Sequence, residues 1–153
     1  MAHGRFGGRT LARAQALELV FQAEAGGRSV AAVLDDDYLL NEGPLDDYAR
    51  ELALGTYEMR RDLDRVIGAA SHNWSVSRMP SVDRCLLRLA LYEMLEVPEV
   101  DKAVTIDECV VLAKAYGTDE TSKFVNGVLG AIATKLDEGV DVVAEARANT
   151  KEG

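Results

Sequence analysis

Histidine and cysteine are almost missing from this sequence, with two of each in 153 residues. His3 and His72 lie far apart, and neither has a partner at metal-ligand spacing, so no metal site is expected. Cys85 and Cys109 make no disulfide framework; both fall on apolar helical positions and read as buried thiols in a reducing compartment. No glycine-rich phosphate loop with a following Lys-Ser or Lys-Thr is present, and no nucleophile elbow. The equipment of an enzyme or of a cofactor site is therefore lacking. No apolar run approaches the roughly 18 residues of a membrane span. The opening MAHGRFGG has no hydrophobic core of a secretory signal. The expectation is a cytoplasmic, non-enzymatic protein with no membrane partner.

Aromatic residues make up only 6 % of the chain and prolines number three, while hydrophobic residues reach 48 %. Alanine, leucine, valine and glutamate dominate at helical spacing, and no alternating strand pattern stands out. The fold class that follows is all-α, with about seven helices. The net charge of −9 argues against nucleic acid as a whole, but the charge is unevenly placed. Residues 1–28 carry four arginines against two glutamates, whereas residues 29–57 carry seven acids against Arg50 alone. A short basic end suits phosphates, and an acidic body suits a basic protein partner.

Punctuation residues divide the chain. Thr10 is expected to cap a first helix ended by Gly26 and Gly27, and Ser29 to cap a short second one over Val30 to Leu34. Pro44 is expected at the first position of a long helical stretch towards Ala70, which Gly55 divides or bends. SHNWSVSRMP is a connector, and Pro80 opens a helix apolar nearly all round, hence central. Pro98 stops it. Helices over about 105–116 and 121–136 follow. The expected organisation is a flexible arm at 1–8, a helical body at 9–138 with a hinge near 71–80, and a polar tail at 139–153 that frays.

The tract from Ile106 to Gly130 is conspicuous and chemically empty, without histidine or arginine. Asp107 and Glu108 read as a solvated first turn, and Gly127 and Gly130 as sites of close helix packing. Two features retain recognition chemistry. Arg5, Arg9 and Arg13 are spaced by four, along one face if the helix reaches them; an ordinary solvated helix start is the competing reading. Phe124 follows a polar turn where a base could stack on it, yet it also continues a core stripe through Val128 and Ile132. Trp74 reads as a connector anchor or an interface residue, the anchor being favoured.

Ala12-Arg13 with the helix that follows, Asn73-Trp74-Ser75, SVDRCLLRLALYEML from Ser81, and VTIDECVVLAKAYGTDETSKFVNGVLG from Val104 occur in that order and spacing. Together, over residues 9–136, they resemble the NusB family of bacterial transcription antitermination factors. The resemblance implies two packed helical subdomains, about 9–72 and 80–138. It implies binding of boxA, a single-stranded RNA element of ribosomal RNA operons, jointly with the ribosomal protein NusE. It also implies action on elongating RNA polymerase with other Nus factors. By position in the family motifs, Arg5, Arg9, Arg13, Glu120 and Phe124 are expected at RNA, and Phe21 and Asp83 at NusE. Many relatives have a denser basic cluster before the Ala-Arg pair. Here only three arginines remain, which implies that a basic partner supplies part of the RNA surface. Two rivals stand beside this reading. One is a latent homodimer with its RNA face covered. The other is a non-catalytic module related to the N-terminal domain of ribosomal RNA cytosine methyltransferases.

Overall fold

The computed structural model describes residues 6–72 and 74–152. These form eight α-helices: α1 (Gly8–Gly26), α2 (Val30–Leu34), α3 (Asp47–Glu58), α4 (Arg60–Ala70), α5 (Ser81–Glu96), α6 (Lys102–Tyr116), α7 (Asp119–Asp137) and α8 (Val142–Glu152). A 3-10 turn, Val76–Arg78, lies in the connector between α4 and α5, and no strand occurs among the described residues.

α1 is built to be approached closely. Its buried side includes Ala12, Ala16 and Ala23, and α3 answers with Ala49, Ala53 and Leu52. Small residues on both sides let the two backbones pack tightly. Gly27, at φ 63°, closes α1 in the left-handed conformation, and the Arg28 N–H donates back to the Ala23 carbonyl. Ser29 caps α2 by accepting from the Ala32 N–H at 3.0 Å, as its sequence position suggests. α5 is central: it packs against α1, α3, α4, α6 and α7, and Cys85, Leu86, Leu87, Leu89, Ala90, Leu91 and Met94 are all buried. Each fully buried leucine contributes roughly 1.5–3 kcal/mol relative to exposure. Burial raises both thiols, Cys85 and Cys109, to about 12, so neither is a thiolate near neutrality.

Polar staples fix the helices around α5. Arg84 and Arg88 of α5 reach Glu24 of α1 at 2.5 and 3.2 Å. Arg88 also grips Asp64 of α4 through two bonds of 2.6 and 2.7 Å. The buried Gln15 of α1 donates to the carbonyls of Glu42 and Pro44 and accepts from the Asp46 N–H. It thereby sets the loop that leads into α3.

Several local expectations change. Thr10 is not the cap of α1; the helix begins at Gly8, and the Thr10 hydroxyl donates to Glu108 instead. Pro44 precedes α3 rather than opening it, since Asp46 is the cap and accepts from the Tyr48 N–H. The break between α3 and α4 falls at Met59, not Gly55. Gly55 lies inside α3, and its lack of a side chain makes room for the Tyr92 phenol, which crosses where a Cβ would be. Gly127 and Gly130 face open space, so close packing does not explain them. α6 begins at Lys102, which places Asp107 and Glu108 beyond its first turn. The tail is ordered as α8, which buries Val142 and Ala146 and packs on α4. Arg147 of α8 adds two bonds to Asp62, at 2.9 and 2.6 Å. Of the expected arm, Phe6 already packs against the core.

Candidate nucleic-acid interface

The arginines at the start of the chain do not share one solvated face. Arg5 lies outside the described residues. Arg9 is exposed, with its guanidinium carbon 4.1 Å from the centroid of the Tyr48 ring. Arg13 is only 6 % exposed. Its Nε donates to both carboxylate oxygens of Glu93, at 2.9 and 3.0 Å, and its Nη1 to Glu108 at 3.0 Å. The Tyr48 phenol donates to the same Glu93 carboxylate. Burial first, then the Glu93 charge, drives that phenol well above its ordinary range. For Arg13, burial opposes the charge, but the bonds and charges of Glu93 and Glu108 outweigh it and hold the guanidinium more firmly protonated. Arg13, expected at RNA, is thus a buried clamp joining α1, α5 and α6, its guanidinium committed to two carboxylates.

Further along, the Glu18 carboxylate of α1 accepts from the Tyr116 hydroxyl of α6. The bridges join 10 to 108 and 18 to 116, so α1 and α6 run in the same direction. Eight residues of helix separate the two bridges on α6, about 12 Å at 1.5 Å per residue. Arg9 thus marks one end of this strip, and the turn after Tyr116 marks the other.

That turn is tightly specified. Thr118 and Thr121 form a reciprocal capping box at the start of α7. Gly117 permits it, because an added Cβ would sit 2.7 Å from the Thr121 Cβ. The Thr121 hydroxyl then donates to Asp83 of α5 at 2.9 Å. Asp83, expected at NusE, is consequently 4 % exposed and serves as a buried strut under the turn. Glu120 and Lys123 are exposed beside it. Phe124 is half-buried, part core and part surface, and meets Trp74 edge-to-face at 5.1 Å and 77°. Trp74, Pro80, Tyr116, Glu120, Lys123 and Phe124 line an open groove of about 710 Å³.

A second groove, about 370 Å³, lies on the other side of Tyr116 and Val82, which line both. It is walled by Leu17, Phe21 and Leu39, with Glu18, Gln22 and Asn41 at its polar edge. Phe21 is 40 % exposed and Leu39 is 77 % exposed, an unusual display for large apolar side chains. Sequence reasoning singled out Phe21 but not Leu39, Tyr48, Glu93, Lys123 or Tyr116. The alanine-rich α1 signals that its polar residues will be drawn inward, which was the available clue to the Arg13–Glu93 pair. Among the described residues, no cluster of three or more His, Cys, Asp or Glu could hold a metal, and no helix is long and apolar enough to cross a membrane.

A family model described as the NusB family matches residues 10–134. A transcription antitermination protein NusB from Nocardioides sp. is 39 % identical over 124 residues, covering 81 % of this chain and 92 % of the relative. The solved structure of T. maritima NusB superposes with a TM-score of 0.73 at 33 % identity, covering 86 % of this chain and 94 % of that one. A crystal structure of the antitermination factors NusB and NusE in complex with dsRNA gives 0.68 at 26 % identity, covering 81 % and 94 %. On the extent of the family match and the shared fold, this chain belongs to the NusB family.

Proposed function

We propose that the chain binds boxA-type single-stranded RNA of ribosomal RNA operons together with the ribosomal protein NusE, and that the pair acts on elongating RNA polymerase. The observation that carries this is the adjacency of two unlike grooves across Tyr116 and Val82. One is aromatic and bears Lys123; the other is apolar and displays Phe21 and Leu39. Nucleic acid occupies the first and the protein partner the second. Arg9, at the far end of the strip, takes phosphate, as does Arg5 ahead of it. Phe124 contributes ring surface, and Glu120 limits how closely phosphate approaches. Arg13 and Asp83 act through position: Arg13 holds α1 against α5 and α6, and Asp83 holds the turn on which both grooves depend. The family to which the chain belongs comprises transcription antitermination proteins rather than enzymes.

Binding of boxA RNA, measured with and without NusE across salt, tests the proposal. NusE should tighten binding, and a scrambled RNA should bind more weakly. Equal binding of both RNAs with no effect of NusE would overturn it. The exposed Leu39 and Phe21 favour a second reading, in which another copy of the chain covers the apolar groove. Sedimentation at micromolar concentration, before and after adding NusE, separates the two.

A further inference from the structure

Trp74 is the only tryptophan of the chain, and 41 % of its surface is exposed. An anchor is expected to be covered; this ring is not. Nor does the connector need the ring to hold its path. The Trp74 N–H donates to the Ser71 carbonyl at 3.1 Å, and the Ser71 hydroxyl donates to the Trp74 carbonyl at 2.8 Å. The side chain is thus left over from the turn that carries it, and it leans over the groove beside Phe124.

The relative pose of the two rings constrains what they can hold. At 77° they stand nearly perpendicular, so a flat base cannot lie on both. One ring must be a shelf and the other a wall. Phe124 springs from α7 and packs against the core, whereas Trp74 stands out from the connector. The indole also offers the larger face, and stacking is strongest where area is greatest. Lys123 supplies a cation at the groove, while the Glu120 carboxylate opposes a continuous run of phosphates there. A base inserted from a strand that passes outside fits this charge pattern better than a backbone laid along the groove.

We propose that the Trp74 indole is the shelf on which one unpaired nucleobase of the bound RNA stacks, with the Phe124 ring as the wall beside it. The inference rests on the RNA-binding reading above. Stacking tolerates any base, so this subsite distinguishes unpaired from paired RNA more than one base from another. It also gives the main stacking role to a residue of the connector rather than to Phe124, which the sequence leaves open between stacking and core packing.

Because no other tryptophan is present, the full chain reports its own occupancy. Unlabelled boxA RNA is titrated while indole emission is followed, with NusE present and the Trp74→Phe variant as the blank. Labelled RNA is followed by anisotropy in parallel. Indole quenching should saturate at the midpoint that anisotropy gives. Among RNAs carrying one abasic site each, one position should abolish the quench and weaken binding roughly 5- to 150-fold. Trp74→Ala should weaken intact RNA by a similar factor and leave that abasic RNA unaffected; Trp74→Phe, which keeps a ring, should fall between. Anisotropy that rises without quenching, or a Trp74→Ala loss equal for every abasic RNA, would overturn the shelf. A flat anisotropy would instead overturn the RNA-binding reading beneath it.

Discussion

Replacing Arg13 with alanine would strand the carboxylate of Glu93, which is 2 % exposed and keeps only the Tyr48 hydroxyl as a partner. Removing one member of a buried pair costs about 3–5 kcal/mol, because the remaining charge is neither solvated nor compensated. Each kcal/mol shifts the melting midpoint by roughly 2–4 °C at this chain length, so a fall of about 6–20 °C is expected. Denaturant unfolding followed by circular dichroism measures the loss. The double variant Arg13→Met with Glu93→Gln should recover most of it, since no unpaired charge is then buried. RNA binding is read on the same variants. A residue that contacts phosphate contributes about 0.7 to the slope of log affinity against log salt on single strands. Arg13→Ala should leave that slope unchanged under conditions where the protein is folded. A stability loss below about 1 kcal/mol together with a slope reduced by about 0.7 would refute the clamp and restore Arg13 as a direct contact.

Arg9→Ala should do the reverse: stability changes by no more than about 1 kcal/mol, as for an exposed cation–π pair, while the salt slope falls by about 0.7. Gly117→Ala drives a methyl into Thr121, so it should cost about 1–3 kcal/mol by overpacking and weaken RNA binding through the displaced turn; denaturation and RNA titration of one sample check both. The Arg147 guanidinium, by its hydrogen bonds and charge, holds the Asp62 carboxyl below its ordinary 3.8. A carboxylate depressed in the folded state stabilises above its unfolded pKa and stops doing so as pH falls through its folded one. Protection of the α8 amides, taken relative to their intrinsic exchange rates, should therefore fall selectively below about pH 4, and Asp62→Asn should remove that dependence.

What the sequence made legible was local. The Ser29 cap, the Gly27 stop and the Pro80 start act within a few residues, so a linear reading recovers them. The all-round apolar α5 announces its central place for the same reason. The setting of Arg13 is not legible because its partners lie 80 and 95 residues away, and spacing alone cannot distinguish a guanidinium facing solvent from one facing two carboxylates. The helix α8 was missed because it buries small residues, Val142 and Ala146, and leaves a weak apolar pattern. Phe124 was open between core and surface, and it occupies both. Its partner ring, Trp74, comes from the other half of the chain, where no periodicity links the two.

The polar side of α1 finds its partners late in the chain. Thr10 and Glu18 each bond to residues 98 positions downstream. At a synthesis rate of about 5–20 residues per second, α1 exists for roughly 5–20 s before those partners are made. Until Glu93 is made, 80 residues after Arg13, the Arg13 guanidinium has no carboxylate from α5 or α6, and contacts with the helices made by then must shelter α1. α1 is thus made long before it is completed, so a nascent chain stalled before residue 93 would present Arg13 unclaimed.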